Sequence, residues 1–385
     1  MAPTADLGRL IAELQSYGVH VVRGPGPVPG RTGGAGPSDA GMIRVEGVQV
    51  TFPFTADYVS ESPFSLHEEG PPGSGGWGVY RDGRRLAGAE VPSRPRFYDL
   101  STADGIPYWK IALLHLDSLA STVIQTCIYW DTPDQCQFCG IELSLAAGRT
   151  IPVKKPDQLA EVAVAARDLD GAVDVTLTSG TTRGADKGAR YLGRCAKAIR
   201  EASGLPVQAQ FEPPDDLSVL EEIKEQGVSS VGIHVESFDP AVLARVAPAK
   251  ARTGVEGYFR AWERAVELFG RGQVSTYVIL GMGEDPEVTI EGSRRAIDAG
   301  VYPFIVPLRP VPGSLMGSEL PPDPEYMESV YRAVGPYLAL TGLASWQVHA
   351  GCARCGACSA LSSYESPDGE APGRPGRQLP IVTVR

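Results

Sequence analysis

From residue 121 to residue 308, apolar runs of β type alternate with segments of helical period, and this alternation leaves few folds open. Strands are expected at 121–126, 173–178, 206–211, 229–235, 273–280 and 302–308. Helical segments are expected between them, at 156–168, 186–202, 215–226, 240–269 and 286–299. The strand runs are nearly continuous in Val, Ile and Leu, as strands covered on both faces require. A crossover helix lets successive strands run parallel, so the repeat predicts an α/β sheet clothed by helices. Six units predict a partial (β/α)6 TIM-like barrel, with chemistry at the C-terminal ends of its strands.

The flanks read differently. Leu7, Leu10, Ile11 and Leu14 fall at helical spacing over 5–17, and Gly18 ends that helix. Residues 24–41 are so rich in Gly and Pro that an exposed loop or linker is expected. Over 42–92 short strands are expected: Met42 to Phe54 alternates, and Trp77 to Leu86 offers a hairpin turned at Asp82-Gly83. The chain therefore divides into a helix with a small β-rich region (1–105), a barrel (106–340) and a cysteine-rich tail (341–385). A net charge of −11 with no basic stripe excludes a nucleic-acid or anionic-membrane partner as the expected one. No apolar run approaches the roughly 20 residues that span a bilayer. The N-terminus also lacks the features of a secretory signal, so a cytoplasmic location is expected.

Seven cysteines fall as a triplet (Cys127, Cys136, Cys139), a singleton (Cys195) and a second triplet (Cys352, Cys355, Cys358). Two tight clusters do not resemble a disulfide framework, and metal is the better reading. Thiolates select zinc, copper(I) or iron–sulfur clusters. After Cys139 the next cysteine is Cys195, and no histidine lies between them to complete a closed site. Three ligands on a four-iron cluster leave one iron open to a small molecule. The tail, Cys352-Ala-Arg-Cys355-Gly-Ala-Cys358, has two successive x-x gaps that also suit iron–sulfur ligation. His349, Cys195, a serine or the substrate could supply its fourth ligand, and a zinc site using His349 competes. Cys195 lies in a helical stretch where packing is its expected role.

Further motifs sit at the strand ends. Val175 to Arg183 ends in Thr178, Ser179 and Gly180, whose hydroxyls and peptide groups suit an ammonium or carboxylate. Residues 231–237 would place His234 and Glu236 on one strand face, with Ile233 and Val235 on the other. Tyr277 to Leu280 runs into Gly281-Met-Gly283-Glu284, where glycines permit close approach to a flat ring. Pro307-Leu-Arg309-Pro offers a guanidinium for a carboxylate. Each could equally be a capping loop, a structural histidine or a surface charge.

Together these stretches resemble a known family. Cys-x-Phe-Cys, Thr-Leu-Thr-Ser, His-Val-Glu-Ser, Val-Ile-Leu-Gly-Met-Gly-Glu and Pro-Leu-Arg-Pro follow the order and rough spacing of radical S-adenosylmethionine (SAM) barrels over about 120–315. They look most like lipoyl synthase and biotin synthase. The approach Asp99 to Tyr108 and the cysteine-rich tail extend the likeness to radical SAM proteins of nitrilase-associated gene clusters. The departure is the first cysteine gap, eight residues where the superfamily usually has three.

The resemblance implies that Cys127, Cys136 and Cys139 ligate a 4Fe-4S cluster, with Phe138 and Gly140 near the adenine of SAM. It implies Thr178, Ser179 and Gly180 near the methionine moiety, with His234 and Glu236 toward the ribose or amino group. Gly281, Gly283 and Glu284 would flank the adenine, and Arg309 would hold a carboxylate. The implied reaction is reductive cleavage of SAM to a 5′-deoxyadenosyl radical that abstracts hydrogen from a small-molecule substrate. An electron donor such as flavodoxin or ferredoxin is implied, as is oxygen sensitivity. Cys352, Cys355 and Cys358 would hold a second 4Fe-4S cluster. Sulfur insertion is an alternative, although lipoyl synthase carries its auxiliary cysteines before the barrel. From a different class, a non-catalytic zinc-stabilised barrel remains open. A lysine-dependent barrel enzyme ranks last, because Lys154 and Lys155 fall in a loop and the strands contain no lysine.

Overall fold

The computed structural model describes residues 4–22, 33–35, 40–70 and 76–366. Its N-terminal part is a helix, Thr4–Tyr17, laid on a six-stranded sheet. The strands are β1 (His20–Val21), β2 (Ala40–Val45), β3 (Val48–Pro53), β4 (Phe64–Glu69), β5 (Gly76–Arg81) and β6 (Arg84–Glu90), in the order β1-β4-β5-β6-β2-β3. Asp82 and Gly83 both take positive φ (49° and 79°), the two-residue turn that matches strand twist, so the expected hairpin forms there. Glu46-Gly47 makes a second such turn between β2 and β3, at φ 49° and 83°. Ile11 and Leu14 of the helix are buried in one core with Ile43, Val50 and Phe52 of the sheet.

The second sheet has seven strands: β7 (Leu113–His115), β8 (Ser118–Ile124), β9 (Asp174–Ser179), β10 (Val207–Gln210), β11 (Ser230–Gly232), β12 (Val274–Leu280) and β13 (Val301–Pro307). Their spatial order is their sequence order, and β8 to β13 are all parallel. Five helical connections join them, built on Pro156–Asp170, Ala189–Ser203, Val219–Glu225, Pro240–Val246 with Pro248–Phe269, and Pro286–Asp298. This is the expected α/β partial barrel of six parallel strands. β7 was not foreseen; it pairs antiparallel with β8 and makes one edge, while β13 makes the other. Three residues before a tight turn carry too short a pattern to register as a strand.

Two expectations need correction. Within the Gly/Pro stretch, residues 24–32 and 36–39 lie outside the described residues, but 33–35 are packed, not exposed as a linker. Gly33 is buried, its N–H donating to Ser144 Oγ (3.0 Å) and its carbonyl accepting from the same hydroxyl. A Cβ on Gly33 would stand 1.8 Å from the Gly140 carbonyl oxygen, so only glycine allows this approach. The expected strand 229–235 ends at Gly232, for reasons given below. Among the described residues no helix is long and apolar enough to cross a membrane.

The tail folds back onto the N-terminal ends of the barrel strands. Ser230, the first residue of β11, donates its hydroxyl to Ala350 O (3.0 Å), and Asp174, the first of β9, accepts from Gly351 N–H (2.7 Å). Gln273, just before β12, donates to Gln347 O (2.9 Å). Val348, Ala350, Ala353, Ala360, Leu361 and Tyr364 are buried by this docking.

Candidate functional site

The eight residues between Cys127 and Cys136 fold into consecutive turns instead of spreading the thiols apart. Trp130 N–H donates to Cys127 O (3.0 Å), Gln135 N–H to Thr132 O (3.1 Å) and Cys139 N–H to Cys136 O (3.0 Å). The loop is tied outward as well. Cys127 N–H donates to Glu142 Oε1 (3.0 Å), Ile128 N–H to Thr181 O (3.0 Å) and Gln137 N–H to Val246 O (2.8 Å). Gly180 follows β9, and a Cβ there would stand 2.0 Å from Thr126 O. Its small size thus serves the backbone of the cysteine loop.

All three thiols are free and line one cavity of about 330 Å3. Burial pushes the Cys136 thiol up, and the Cys139 thiol up to about 11, so both stay protonated until a metal displaces the proton. Among the described residues no group of three or more His, Cys, Asp or Glu side chains converges as one mononuclear ion needs. A cluster seats each thiolate on a different iron, so it does not require such a point.

The opposite wall is made where β11 breaks. Ile233 N–H still donates to Ser275 O (3.0 Å), but Tyr277 N–H donates to His234 Nδ1 (3.1 Å), a side chain standing where a strand carbonyl would. Trp262 Nε1–H takes Ile233 O (2.9 Å), Lys250 Nζ takes His234 O (2.6 Å) and Thr276 Oγ1 accepts from Val235 N–H (3.0 Å). These bonds satisfy the Ile233 and His234 carbonyls and the Val235 N–H freed by the break, as burial demands. Glu236 adopts φ 71°, and its isolated bridge to Val278 resumes the ladder. His234 and Glu236 therefore do not share a strand face, contrary to expectation, yet both line the cavity.

This wall is polar and only partly satisfied. Lys250 Nζ lies 3.0 Å from Glu236 Oε1, with both side chains about one-tenth exposed. Burial acts most strongly to lower the Lys250 pKa, but Glu236 together with Tyr258, Cys136 and Glu212 outweighs it and holds the ammonium protonated. His234 is pulled well below its ordinary pKa by burial and by Lys250, so its ring is neutral. Because Nδ1 accepts a hydrogen bond, the ring proton sits on Nε2, and that atom is buried without a partner. Ser179 Oγ is likewise buried and unpartnered. Orphaned donors of this kind are rare in folded proteins, and here both face the cavity that the thiols line. The donor set fits a thiolate-bound cluster with a polar ligand beside it.

Of the residues expected from sequence, Phe138, Gly140, Thr178, Ser179, Gly180, His234 and Glu236 lie on this cavity with Cys127, Cys136 and Cys139. Gly281, Gly283, Glu284 and Arg309 do not line it. The Glu284 carboxylate accepts from Gly281 N–H (2.8 Å), Met282 N–H (2.8 Å) and the Tyr326 hydroxyl (2.7 Å), so the Gly-x-Gly-Glu turn closes on itself. Arg309 donates to Thr51 O (2.8 Å) and Thr51 Oγ1 (2.6 Å), which takes it away to the N-terminal sheet.

The tail thiols line the same cavity from the N-terminal side of the barrel. Cys352, Cys355 and Cys358 all lie on its wall, with Ser118 and Thr176 from the strands. Gln210 Nε2 donates to Cys352 Sγ (3.2 Å), Thr51 Oγ1 to Cys358 Sγ (3.3 Å), and Cys355 Sγ donates to Gln49 Oε1 (3.5 Å). Burial raises the Cys352 thiol to about 11. At Cys358 burial also acts upward, but His115, Arg309 and Thr51 together outweigh it and bring the thiol to about 6. His349, one of the candidate partners of this triplet, is exposed and does not line the cavity, whereas Cys195 is buried in helix Ala189–Ser203 as expected.

Several cavity residues escaped the sequence. Glu212 lies two residues past the strand ending at Gln210, and the strand-end rule would have found it; burial raises its carboxyl against the pull of Lys250. Lys250 comes from helix Pro248–Phe269, and nothing in a helical stretch marks it. Its ion pair also removes it as an amine nucleophile. Tyr277 and His115 line the cavity too, Tyr277 stacking edge-on against His234 at 4.7 Å between ring centroids.

One family match agrees with this chemistry. Residues 133–297 match the radical SAM superfamily. A bacteriochlorophyllide c C-7(1)-hydroxylase of Chlorobaculum limnaeum is 33% identical over 125 residues, covering 32% of this chain and 31% of the hydroxylase. The chain thus spans under a third of that relative's length. Among solved structures, methylornithine synthase aligns with a TM-score of 0.46 at 16% identity, over 63% of this chain and 70% of the synthase. The FeFe-hydrogenase maturase of Carboxydothermus hydrogenoformans aligns at 0.41 and 19% identity, over 57% of this chain and 52% of its own.

Proposed function

We propose that this chain, which carries a radical SAM domain over residues 133–297, binds a 4Fe-4S cluster on Cys127, Cys136 and Cys139 and acts on a small molecule held in the cavity below it. The superfamily is one of enzymes that use such a cluster with SAM. The observation that carries this reading is the convergence of three free thiols, an unpartnered Ser179 hydroxyl and an unpartnered His234 N–H on a single cavity.

When bound, the cluster and SAM supply a 5′-deoxyadenosyl radical able to take hydrogen from an unactivated carbon. The chain's own part is orientation and exclusion of water. Ser179 Oγ and His234 Nε2–H are available to polar groups of SAM, and Glu236, fixed by Lys250, presents a second carboxylate oxygen to an amino or ribose group. Glu212 adds another acceptor beside them. An outside electron donor of the flavodoxin or ferredoxin type is part of the proposal.

Cys352, Cys355 and Cys358 would hold a second cluster, since their thiols line the same cavity as Cys127, Cys136 and Cys139. The bacteriochlorophyllide in the hydroxylase's name does not come across with the likeness. A cavity of about 330 Å3 that also holds a cofactor suits a much smaller molecule.

Anaerobic reconstitution tests the reading. Iron, sulfide and 5′-deoxyadenosine are quantified for the wild type and for a Cys136→Ala, Cys139→Ala variant. The expected result is about eight irons with reductant-dependent 5′-deoxyadenosine, and in the variant about half the iron and no SAM cleavage. Zinc in place of iron, with no cleavage, would sink the proposal.

A further inference from the structure

We propose that His115 is the fourth ligand of the tail cluster, through Nε2, so that this cluster is a closed three-cysteine, one-histidine centre. The inference rests on the proposed second cluster and adds what completes it.

His115 ends β7, the unforeseen edge strand, paired across the turn with Ser118 at the start of β8. That register puts its side chain on the cavity wall with Cys352, Cys355 and Cys358. Its Nε2 atom is buried and accepts or donates no well-formed hydrogen bond, while the ring stands beside the Cys358 thiol. The other polar neighbours of the triplet are engaged: Gln210 with Cys352 and Gln208, Thr51 with Cys358, and Gln49 with Cys355. Of the protein groups the sequence offered, a serine on this wall, Ser118, already shares a hydrogen bond with Thr176 Oγ1 (3.3 Å), and the other two are in the wrong places. His349 is exposed, and Cys195 is packed inside a helix.

Three thiolates on a four-iron cluster leave one iron for a fourth donor, and an imidazole nitrogen is a competent one. A buried imidazole nitrogen without a partner needs an explanation. One bond between them answers both, with the ring as the Nδ1–H tautomer and the Nε2 lone pair directed to iron. The consequence is functional. A closed centre offers no vacant iron for chelating substrate, and replacing thiolate by neutral imidazole raises its potential. The tail cluster would then exchange electrons with the reaction in the cavity, and the substrate would be held by protein groups.

The test uses a Cys127→Ala, Cys136→Ala, Cys139→Ala protein, in which the tail holds the remaining cluster site. It is reconstituted anaerobically, reduced and examined by pulsed EPR with and without 15N-histidine labelling. The expected result is bound iron and sulfide with a strong histidine nitrogen coupling. Adding His115→Ala should abolish that coupling, and His115→Cys should retain the iron without coupling and at a lower midpoint potential. Iron bound with no histidine coupling, or coupling that survives His115→Ala, would overturn the His115 assignment and leave the second cluster standing. No iron at all in the triple variant, with its circular dichroism unchanged, would overturn the second cluster and this ligand with it.

Discussion

At the scale of single residues, the Lys250–Glu236 pair holds the site's shape. Both charges are nearly buried, and the carboxylate is the ammonium's closest counter-charge at 3.0 Å. Removing one partner of such a pair leaves the other desolvated and unpaired, at a cost of about 3–5 kcal/mol. Glu236→Gln and Lys250→Met should each lower unfolding free energy by that order. The double variant should lose much less than the sum, a coupling read by urea denaturation. Purely additive losses would mean that solvent reaches the pair. Glu236 also sits at φ 71°, where a β-carbon is strained, so the ion pair and the Tyr277 and Ile279 backbone bonds oppose a local tendency.

At the scale of elements, the cysteine segment of the tail is fixed to the barrel strands by specific polar groups. Arg354 donates to Asp174 (Nε to Oδ2, 2.6 Å) and to Asp117 (Nη2 to Oδ1, 2.7 Å), and the Asp174 side chain is fully buried. Gly351 takes φ 100°, and a Cβ there would stand 1.9 Å from Gln208 Oε1. Arg354→Met should therefore cost several kcal/mol, on the order of a broken buried pair, and Gly351→Ala should lift the segment off the barrel. Limited proteolysis should then cut first near residue 350, and iron should be lost from the tail site before the 127–139 site. A tail as resistant as the wild type's in both variants would contradict this attachment. Docking of this kind is invisible in sequence, since Arg354 lies between two cysteines and its carboxylates are 180 and 237 residues away.

At the scale of the whole molecule, the tail is part of the barrel's core and closes its N-terminal end. Leu361 and Ala360 are fully buried, Tyr364 stacks on Tyr331 at 5.6 Å between centroids, and Glu365 accepts from Ser345 N–H (3.1 Å) and Oγ (2.9 Å). Each large apolar side chain exposed costs roughly 1.5–3 kcal/mol, against a total stability of about 5–15 kcal/mol. A chain ending at residue 343 should lose its cooperative thermal transition and bind a hydrophobic dye. A sharp transition within a few degrees of the wild type's would make the tail a separate appendage.

The sequence by itself determined the periodic features: six parallel strands, the Asp82-Gly83 hairpin, the cysteine loop and the strand-end hydroxyls. Those features are local, because strand and helix periods, turn chemistry and thiol spacing are written within a few residues. Only the tertiary structure decided where the second triplet points, because that depends on a tail folding back across the barrel. It also decided that Arg309 and Glu284 are engaged elsewhere, and that Lys250 and His115 join the cavity. Those residues meet through space from a helix, an edge strand and a loop. No period within a short stretch of chain encodes such a meeting.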